Sequence, residues 1–151
     1  MTTNKLSAPD LTQRPPRSPR VRLGGYALLA RCLDKGRATL AGKNGEFHFD
    51  CPLDQHVPNF TGIKAAALKK QLALGKGDGE ILEWIAKTAV KHTPWEIAQW
   101  SDFVDKRGPG DVETREYFNG MLKKLSTTRE DILTWSDVLD LDDYVTFGGK
   151  P

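Results

Sequence analysis

From residue 63 onward the sequence repeats one pattern, in which short apolar stripes at helical spacing are separated by glycine or proline. The first stripe runs from Ile63 to Leu74. Four further helices are expected, with Asp78, Thr93, Asp111 and Thr127 as their N-cap residues. Thr93 and Thr127 are each followed three residues later by glutamate, the pattern of a capping box. The succession predicts a mainly α-helical chain.

An earlier helix is predicted from Leu23 to Ala41, although Arg37 stands on its apolar stripe where an apolar side chain is expected. Asn44-Gly45 is a strong turn signal, and polar and apolar residues alternate after it up to Asp50. This alternation predicts a short strand, which could form a hairpin with residues 38–41. Two prolines then predict an irregular loop over residues 52–62.

The predicted fold is a mainly α single compact domain of five or six helices, with one short β-hairpin or strand near residues 38–51. Its 151 residues, 38% of them hydrophobic, are enough for one core and too few for two typical domains. Residues 1–22 are predicted to be an extended basic arm rich in proline and arginine, and residues 23–151 the helical domain.

Charge is distributed unevenly along the chain. Residues 1–43 hold nine Lys or Arg against two acids, and the remainder holds thirteen against eighteen. The arm could bind nucleic-acid phosphates, or it could pair with the acidic carboxyl end of the same chain. No aromatic residue is interleaved with the arm arginines to stack on bases, so nucleic acid is not the favoured partner. These arginines are Arg14, Arg17, Arg20 and Arg22.

The first residues lack the apolar stretch of a signal peptide, and no later segment is long and apolar enough for a membrane span. We therefore expect a soluble cytoplasmic protein with no membrane partner. In a reducing compartment Cys32 and Cys51 are expected to be free thiols, although the sequence leaves their pairing open.

The segment GEFHFDCPLDQH, residues 45–56, concentrates groups that could be reactive. His48, Cys51, Asp54 and His56 are all metal-capable, but their spacing matches no established zinc module, so no metal and no cofactor is predicted. Strand alternation would place Cys51 on the apolar face and His48 on the polar face, which argues against a cysteine-histidine nucleophile pair.

Arg37 requires a partner, because a charge on an apolar stripe is costly when it is unpaired. Asp34 is the local candidate, and Glu46, Asp50 and Asp54 are the alternatives from the adjacent turn. If the strand folds back on the first helix, five charged or titratable side chains could converge into a pocket for an anionic small molecule. The competing interpretation is a structural ion-pair network. The five are Asp34, Lys35, Arg37, Glu46 and His48.

Several short motifs occur in one order. They are Ser18-Pro19-Arg20, Leu23-Gly24-Gly25-Tyr26, Ala30-Arg31, Leu33-Asp34-Lys35, Arg37-Ala38, Gly45-Glu46-Phe47 and Cys51-Pro52-Leu53-Asp54. In this order they resemble the bacterial domain-of-unknown-function family numbered 5069, over roughly residues 12–90. The resemblance implies a small soluble bacterial domain and no established activity. It also implies an aromatic residue at or beside the His48 position in other members, which argues against an essential histidine.

We expect a small-molecule-binding domain or an enzyme, with a charged pocket between the first helix and the strand-turn segment. The candidate proton-transfer residues are Asp34, Glu46 and His48, and the candidate ligand-binding residues are Arg31, Lys35, Arg37, Cys51 and Asp54. The alternative is an interaction module whose basic arm binds an acidic protein partner or nucleic acid. A purely structural role is a third hypothesis. The sequence does not decide between enzyme and binding protein, and it does not indicate an oligomeric state.

Overall fold

One helix, α1 (Leu29–Leu40), is buried along most of its length, although it carries several charged side chains. The computed structural model describes residues 6–151, so the first five residues of the predicted arm lie outside the described residues. The other helices are α2 (His56–Thr61), α3 (Ala65–Ala73), α4 (Asp78–Thr88), α5 (Pro94–Lys106), α6 (Val112–Leu125) and α7 (Trp135–Thr146). The mainly helical prediction is confirmed.

Two apolar clusters hold the helices together. The larger surrounds α1 and includes buried side chains of α2, α3, α4 and α5, with Leu33, Leu72 and Ile81 fully buried. The smaller lies between α6 and α7 around Phe118 and Val138. None of the helices in residues 6–151 is long and apolar enough to cross a membrane.

Side-chain caps begin three of the helices, α5, α6 and α7, whereas Gly77, and not the predicted Asp78, is the N-cap of α4. The Thr93 hydroxyl accepts from Glu96 N at 3.1 Å, and the Glu96 carboxylate accepts from Thr93 N at 3.1 Å, which confirms the predicted capping box. Asp111 caps α6 in the same way by accepting from Thr114 N at 2.8 Å. Each cap satisfies backbone donors that the first helical turn leaves free.

The predicted β-hairpin is wrong, because residues 6–151 form seven helices and no strand. Residues 38–40 belong to α1, so the segment after the Asn44-Gly45 turn has no neighbouring strand. Instead it folds as successive turns: Asn44 Nδ2 donates to Phe47 O at 2.9 Å, and Asp50 adopts a left-handed φ of 63°. A two-residue alternation forms a strand only when another strand satisfies its backbone donors and acceptors.

The prediction of five or six helices is also wrong, because residues 6–151 form seven. The first helix begins at Leu29 rather than Leu23, because Gly24, Gly25 and Leu28 adopt left-handed backbone conformations that no helix accommodates. The short helix α2 occupies the predicted irregular loop, with Pro58 in its first turn, where an amide hydrogen is not needed.

The last helix begins later than its predicted cap. Thr134, and not Thr127, is the N-cap of α7, since its hydroxyl accepts from Asp137 N at 3.1 Å. Asp137 in return accepts from Thr134 N at 2.9 Å. Ile132 is therefore buried from the loop that precedes the helix.

The part of the arm that the structure describes runs over the helices without forming regular structure. Leu11 is buried, and its amide donates to Lys43 O at 2.8 Å. Arg20 pairs with Asp137 and, at 3.0 Å, with Asp140, which confirms the predicted contact with the acidic carboxyl end. The division into an arm and a helical domain stays a prediction.

Candidate functional site

The buried helix α1 holds four charged side chains, and each pairs with a side chain of opposite charge. They are Arg31, Asp34, Lys35 and Arg37. Arg31 makes a two-pronged ion pair with Asp143 of α7, with distances of 2.8 and 3.2 Å. Its side chain is 4% exposed, and Arg31 also donates to Arg17 O at 3.2 Å. Burial raises the pKa of the Asp143 carboxyl, although the Arg31 guanidinium opposes that effect.

Lys35 lies one helical turn further along α1 and pairs with Asp54 from the turn before α2. The Lys35 Nζ is 2.8 Å from Asp54 Oδ1, and the two side chains are 5% and 4% exposed. Lys35 Nζ also donates to Cys51 Sγ at 3.4 Å. Asp54 Oδ2 accepts from Asp50 N at 3.0 Å, so this carboxylate orders the turn that carries Cys51.

The two thiols near this pair have different surroundings. Both cysteines are free. Cys32 is buried and donates to Asp54 Oδ1 at 3.2 Å, and burial raises the pKa of its thiol well above the usual value, with Asp54 adding to the effect. Cys51 is only partly buried and contacts the Lys35 ammonium instead. Buried, protonated thiols are inert, whereas a partly exposed thiol beside a cation has the setting of a reactive one.

A second ion-pair group lies on another face of α1. Arg17 from the arm bridges Asp34 at 3.0 Å and Asp78 at 2.7 Å, and Arg37 pairs with Asp78 at 2.7 Å and with Lys76 O at 3.1 Å. Arg37 therefore contacts none of its four predicted partners. This group ties the arm, α1 and the start of α4 together, as the structural network hypothesis expects.

A cavity of about 700 Å³ opens between α1, the turns of residues 45–53 and the end of α7. This volume lies within the range of small-molecule sites. We call it the α1–α7 cavity. Its wall includes the charged or polar side chains Arg31, Lys35, Glu46, His48, Cys51 and Asp142, and the apolar side chains Leu11, Phe47, Leu53, Leu139 and Phe147.

Hydrogen-bond donors and acids occupy different parts of this wall. Arg31 and Lys35 are buried cations already paired with carboxylates, while Glu46 is exposed and Asp142 is partly exposed. An ammonium has three N–H donors. Asp54 and Cys51 account for two contacts of Lys35, and no third partner occurs within residues 6–151.

Two phenylalanines shape the aromatic side of the cavity. The rings of Phe47 and Phe147 are stacked with centroids 6.4 Å apart, and the Arg31 guanidinium lies 5.6 Å from the Phe47 centroid. A cation over an aromatic face is favourable, so Phe47 helps to hold Arg31 in place.

The structure divides the predicted site residues into three groups. Arg31, Lys35, Glu46, His48 and Cys51 line the α1–α7 cavity. Asp34 and Arg37 face a different, more polar cavity beside Gly75-Lys76-Gly77. Asp54 is buried below the first group and acts as its anchor. Of the five side chains predicted to converge, Lys35, Glu46 and His48 line the α1–α7 cavity, whereas Asp34 and Arg37 do not.

Sequence reasoning does not identify the contribution of α7. Asp143 pairs with Arg31, Phe147 stacks on Phe47, and Asp142 adds an acid to the cavity wall. The available signal was the acidic carboxyl end, which holds six acids and two bases over residues 126–151. That signal indicates a partner for basic residues but does not indicate which ones.

Comparison with known proteins adds a family and no activity. Residues 13–145 match the family model described as "Domain of unknown function (DUF5069)", which confirms the resemblance and extends it over nearly the whole chain. No curated protein matches the sequence.

Proposed function

The chain belongs to the DUF5069 family, and we propose from its cavity geometry that it binds a small molecule with an apolar body and one hydrogen-bond-accepting head. A monocarboxylate is the simplest molecule of this kind. The observation that carries the proposal is the position of Lys35, a buried residue of the cavity wall. Its ammonium contacts Asp54 and Cys51 within residues 6–151, so one of its three N–H donors remains for a ligand. A ligand oxygen at this position would accept a hydrogen bond from that donor.

The surrounding charges limit the ligand to a weakly charged one. Asp54 and Asp143 already neutralise Lys35 and Arg31, and Glu46 and Asp142 add two acids to the wall. A molecule with several negative charges, such as a polyphosphate, would be repelled by this arrangement. One carboxylate or carbonyl oxygen at Lys35, with its apolar body against Phe47 and Phe147, fits the wall without such repulsion.

Thermal unfolding with a panel of small molecules tests this function. Hexanoate and 3-phenylpropionate should raise Tm, by about 5–10 °C at a hundredfold excess over Kd, whereas hexylamine and inorganic phosphate should not. Thr146→Trp narrows the cavity from an exposed position in its wall, and Thr128→Trp is the matched control at an exposed position outside the wall. The carboxylate effect should be lost in the first variant and kept in the second. Equal effects in both variants, or none in the unaltered protein, would refute the proposal.

No observation favours the basic arm as the main binding surface. Arg17, Arg20 and Arg22 each pair with carboxylates of the same chain, at 2.7 Å for Arg17–Asp78 and 3.3 Å for Arg22–Asp102. A partner would have to break these pairs before it could use the same charges. The interaction-module hypothesis thus has less support than the cavity.

A further inference from the structure

Cys51 stands at the polar end of the α1–α7 cavity, next to the spare donor of Lys35. Its Sγ is 3.4 Å from Lys35 Nζ, and both residues line the cavity. The ammonium is nine-tenths buried or more and is anchored by Asp54. A nucleophilic atom and a fixed hydrogen-bond donor thus lie side by side, on two residues of the same cavity wall.

This pairing has the two parts that acyl transfer to a thiol requires. A nucleophile attacks the carbonyl carbon, and a donor stabilises the negative charge that develops on the carbonyl oxygen. We propose that Cys51 is an acyl-accepting nucleophile and that Lys35 donates to the carbonyl oxygen of the acyl group. This inference rests on the proposed function, because the acyl chain would occupy the cavity that we assign to a small molecule.

The step balances without any oxidant, reductant or further reactant. The Cys51 sulfur forms a bond to the acyl carbon, and the bond from that carbon to the leaving group breaks. The thiol proton departs with the leaving group as an alcohol or a thiol, and the product is a thioester on Cys51. During the step the carbonyl oxygen carries negative charge and accepts a hydrogen bond from Lys35. Because the Lys35 donor is held by an ion pair to Asp54, it needs little reorganisation.

The cavity wall indicates the chemical class of the acyl donor. Leu11, Phe47, Leu139 and Phe147 offer apolar surface to the acyl chain. The acids Glu46 and Asp142 would disfavour a chain that ends in another carboxylate. The substrate class is therefore an activated ester or thioester of a monocarboxylic acid with an apolar chain.

The chain has two cysteines, and this provides an internal control. Cys32 is 2% exposed, and its thiol is held protonated against Asp54, so it should not react. Incubation of the full-length protein with p-nitrophenyl hexanoate should attach one hexanoyl group. Intact mass gives the number of groups, peptide mapping gives their position, and p-nitrophenolate absorbance gives the rate. We expect the group on Cys51, at a rate more than about tenfold that of N-acetylcysteine.

Two variants and one binding measurement separate the possible outcomes. Cys51→Ala should lose the hexanoyl group, and hexanoate binding is measured separately on the unaltered protein as a rise in Tm. The double variant Lys35→Met/Asp54→Asn leaves neither charge buried alone, and its acylation rate should fall by about a hundredfold. Acylation on Cys32 or on lysines would overturn the inference, and so would a Cys51 acylation rate no higher than that of N-acetylcysteine. The proposed function would stand in either case if hexanoate still raised the Tm of the unaltered protein. If hexanoate did not raise the Tm of the unaltered protein, both the acyl-transfer inference and the proposed function would be overturned.

Discussion

Replacing Lys35 by methionine should destabilise the protein far more than breaking an ion pair on its surface. The change leaves the Asp54 carboxylate 4% exposed with no cation, and its Oδ1 then retains only the Cys32 thiol. Removing one member of a buried ion pair costs about 3–5 kcal/mol, because the other charge stays buried and unpaired. For a chain of this length that cost lowers Tm by roughly 6–20 °C. Asp54→Asn should cost a similar amount, because it leaves the Lys35 ammonium without its carboxylate.

The double variant Lys35→Met/Asp54→Asn should be more stable than the sum of the two single losses predicts. It removes both charges, and the asparagine side-chain oxygen can still accept from Asp50 N. Each single substitution breaks the same ion pair, so the two losses of stability do not add in the double variant. Urea unfolding followed by circular dichroism gives all four free energies of unfolding.

A matched surface pair provides the control for this experiment. Arg129 and Asp131 form an ion pair at 2.6 Å whose side chains are 37% and 64% exposed. Arg129→Met should cost far less stability than Lys35→Met, because solvent screens an exposed pair. If Lys35→Met cost no more than Arg129→Met, or if the double variant lost the full sum, the Lys35–Asp54 pair would not be the buried anchor that its geometry indicates.

Two further predictions concern helix capping and acid sensitivity. Thr134→Ala should lower the free energy of unfolding by about 1 kcal/mol, because Thr134 caps α7. Thr127→Ala should change it by less than about 0.5 kcal/mol. Urea unfolding compares the two variants, and equal losses would contradict the assignment of Thr134 as the cap. Arg17 lowers the pKa of the Asp78 carboxyl below its ordinary value, so Asp78 contributes stability above that ordinary pKa and loses it as the pH falls through the lowered one. Between about pH 5 and pH 2, the Asp78→Asn variant should therefore lose less stability than the unaltered protein. Unfolding measured at a series of pH values tests this, and stability curves that run parallel for the two proteins would refute it.

The helices from α3 to α6 are largely predictable because their signals are local. The Thr93 and Asp111 caps lie within three residues of the donors they satisfy, and apolar spacing indicates which face becomes buried. The same reasoning fails at residues 46–51, where alternation indicates a strand but the required neighbouring strand does not exist. It also fails at Thr127, where a local capping pattern lies too far from the start of α7.

The candidate site is predictable in its residues and not in its arrangement. Sequence reasoning selects Arg31 and Lys35 through the family motif and Cys51 through the crowded turn. It offers Arg37 four partners, whereas Arg37 contacts Asp78, which follows it by 41 positions. The four are Asp34, Glu46, Asp50 and Asp54. It also assigns Cys51 to an apolar strand face, whereas the turn that Asp54 organises brings the thiol to Lys35.

By itself the sequence determined that this chain is helical, where α5 and α6 begin, and that charged residues crowd onto α1 and the turn after it. Those properties depend on interactions between residues a few positions apart. Only the tertiary structure decided which carboxylate meets which cation, because Arg31 pairs with Asp143 across 112 positions and Lys35 pairs with Asp54 beneath a turn of irregular shape. A buried charge is costly unless it is paired, and the packing of α7 against the rest of the chain brings Asp143 to Arg31. That packing also closes the α1–α7 cavity around Cys51.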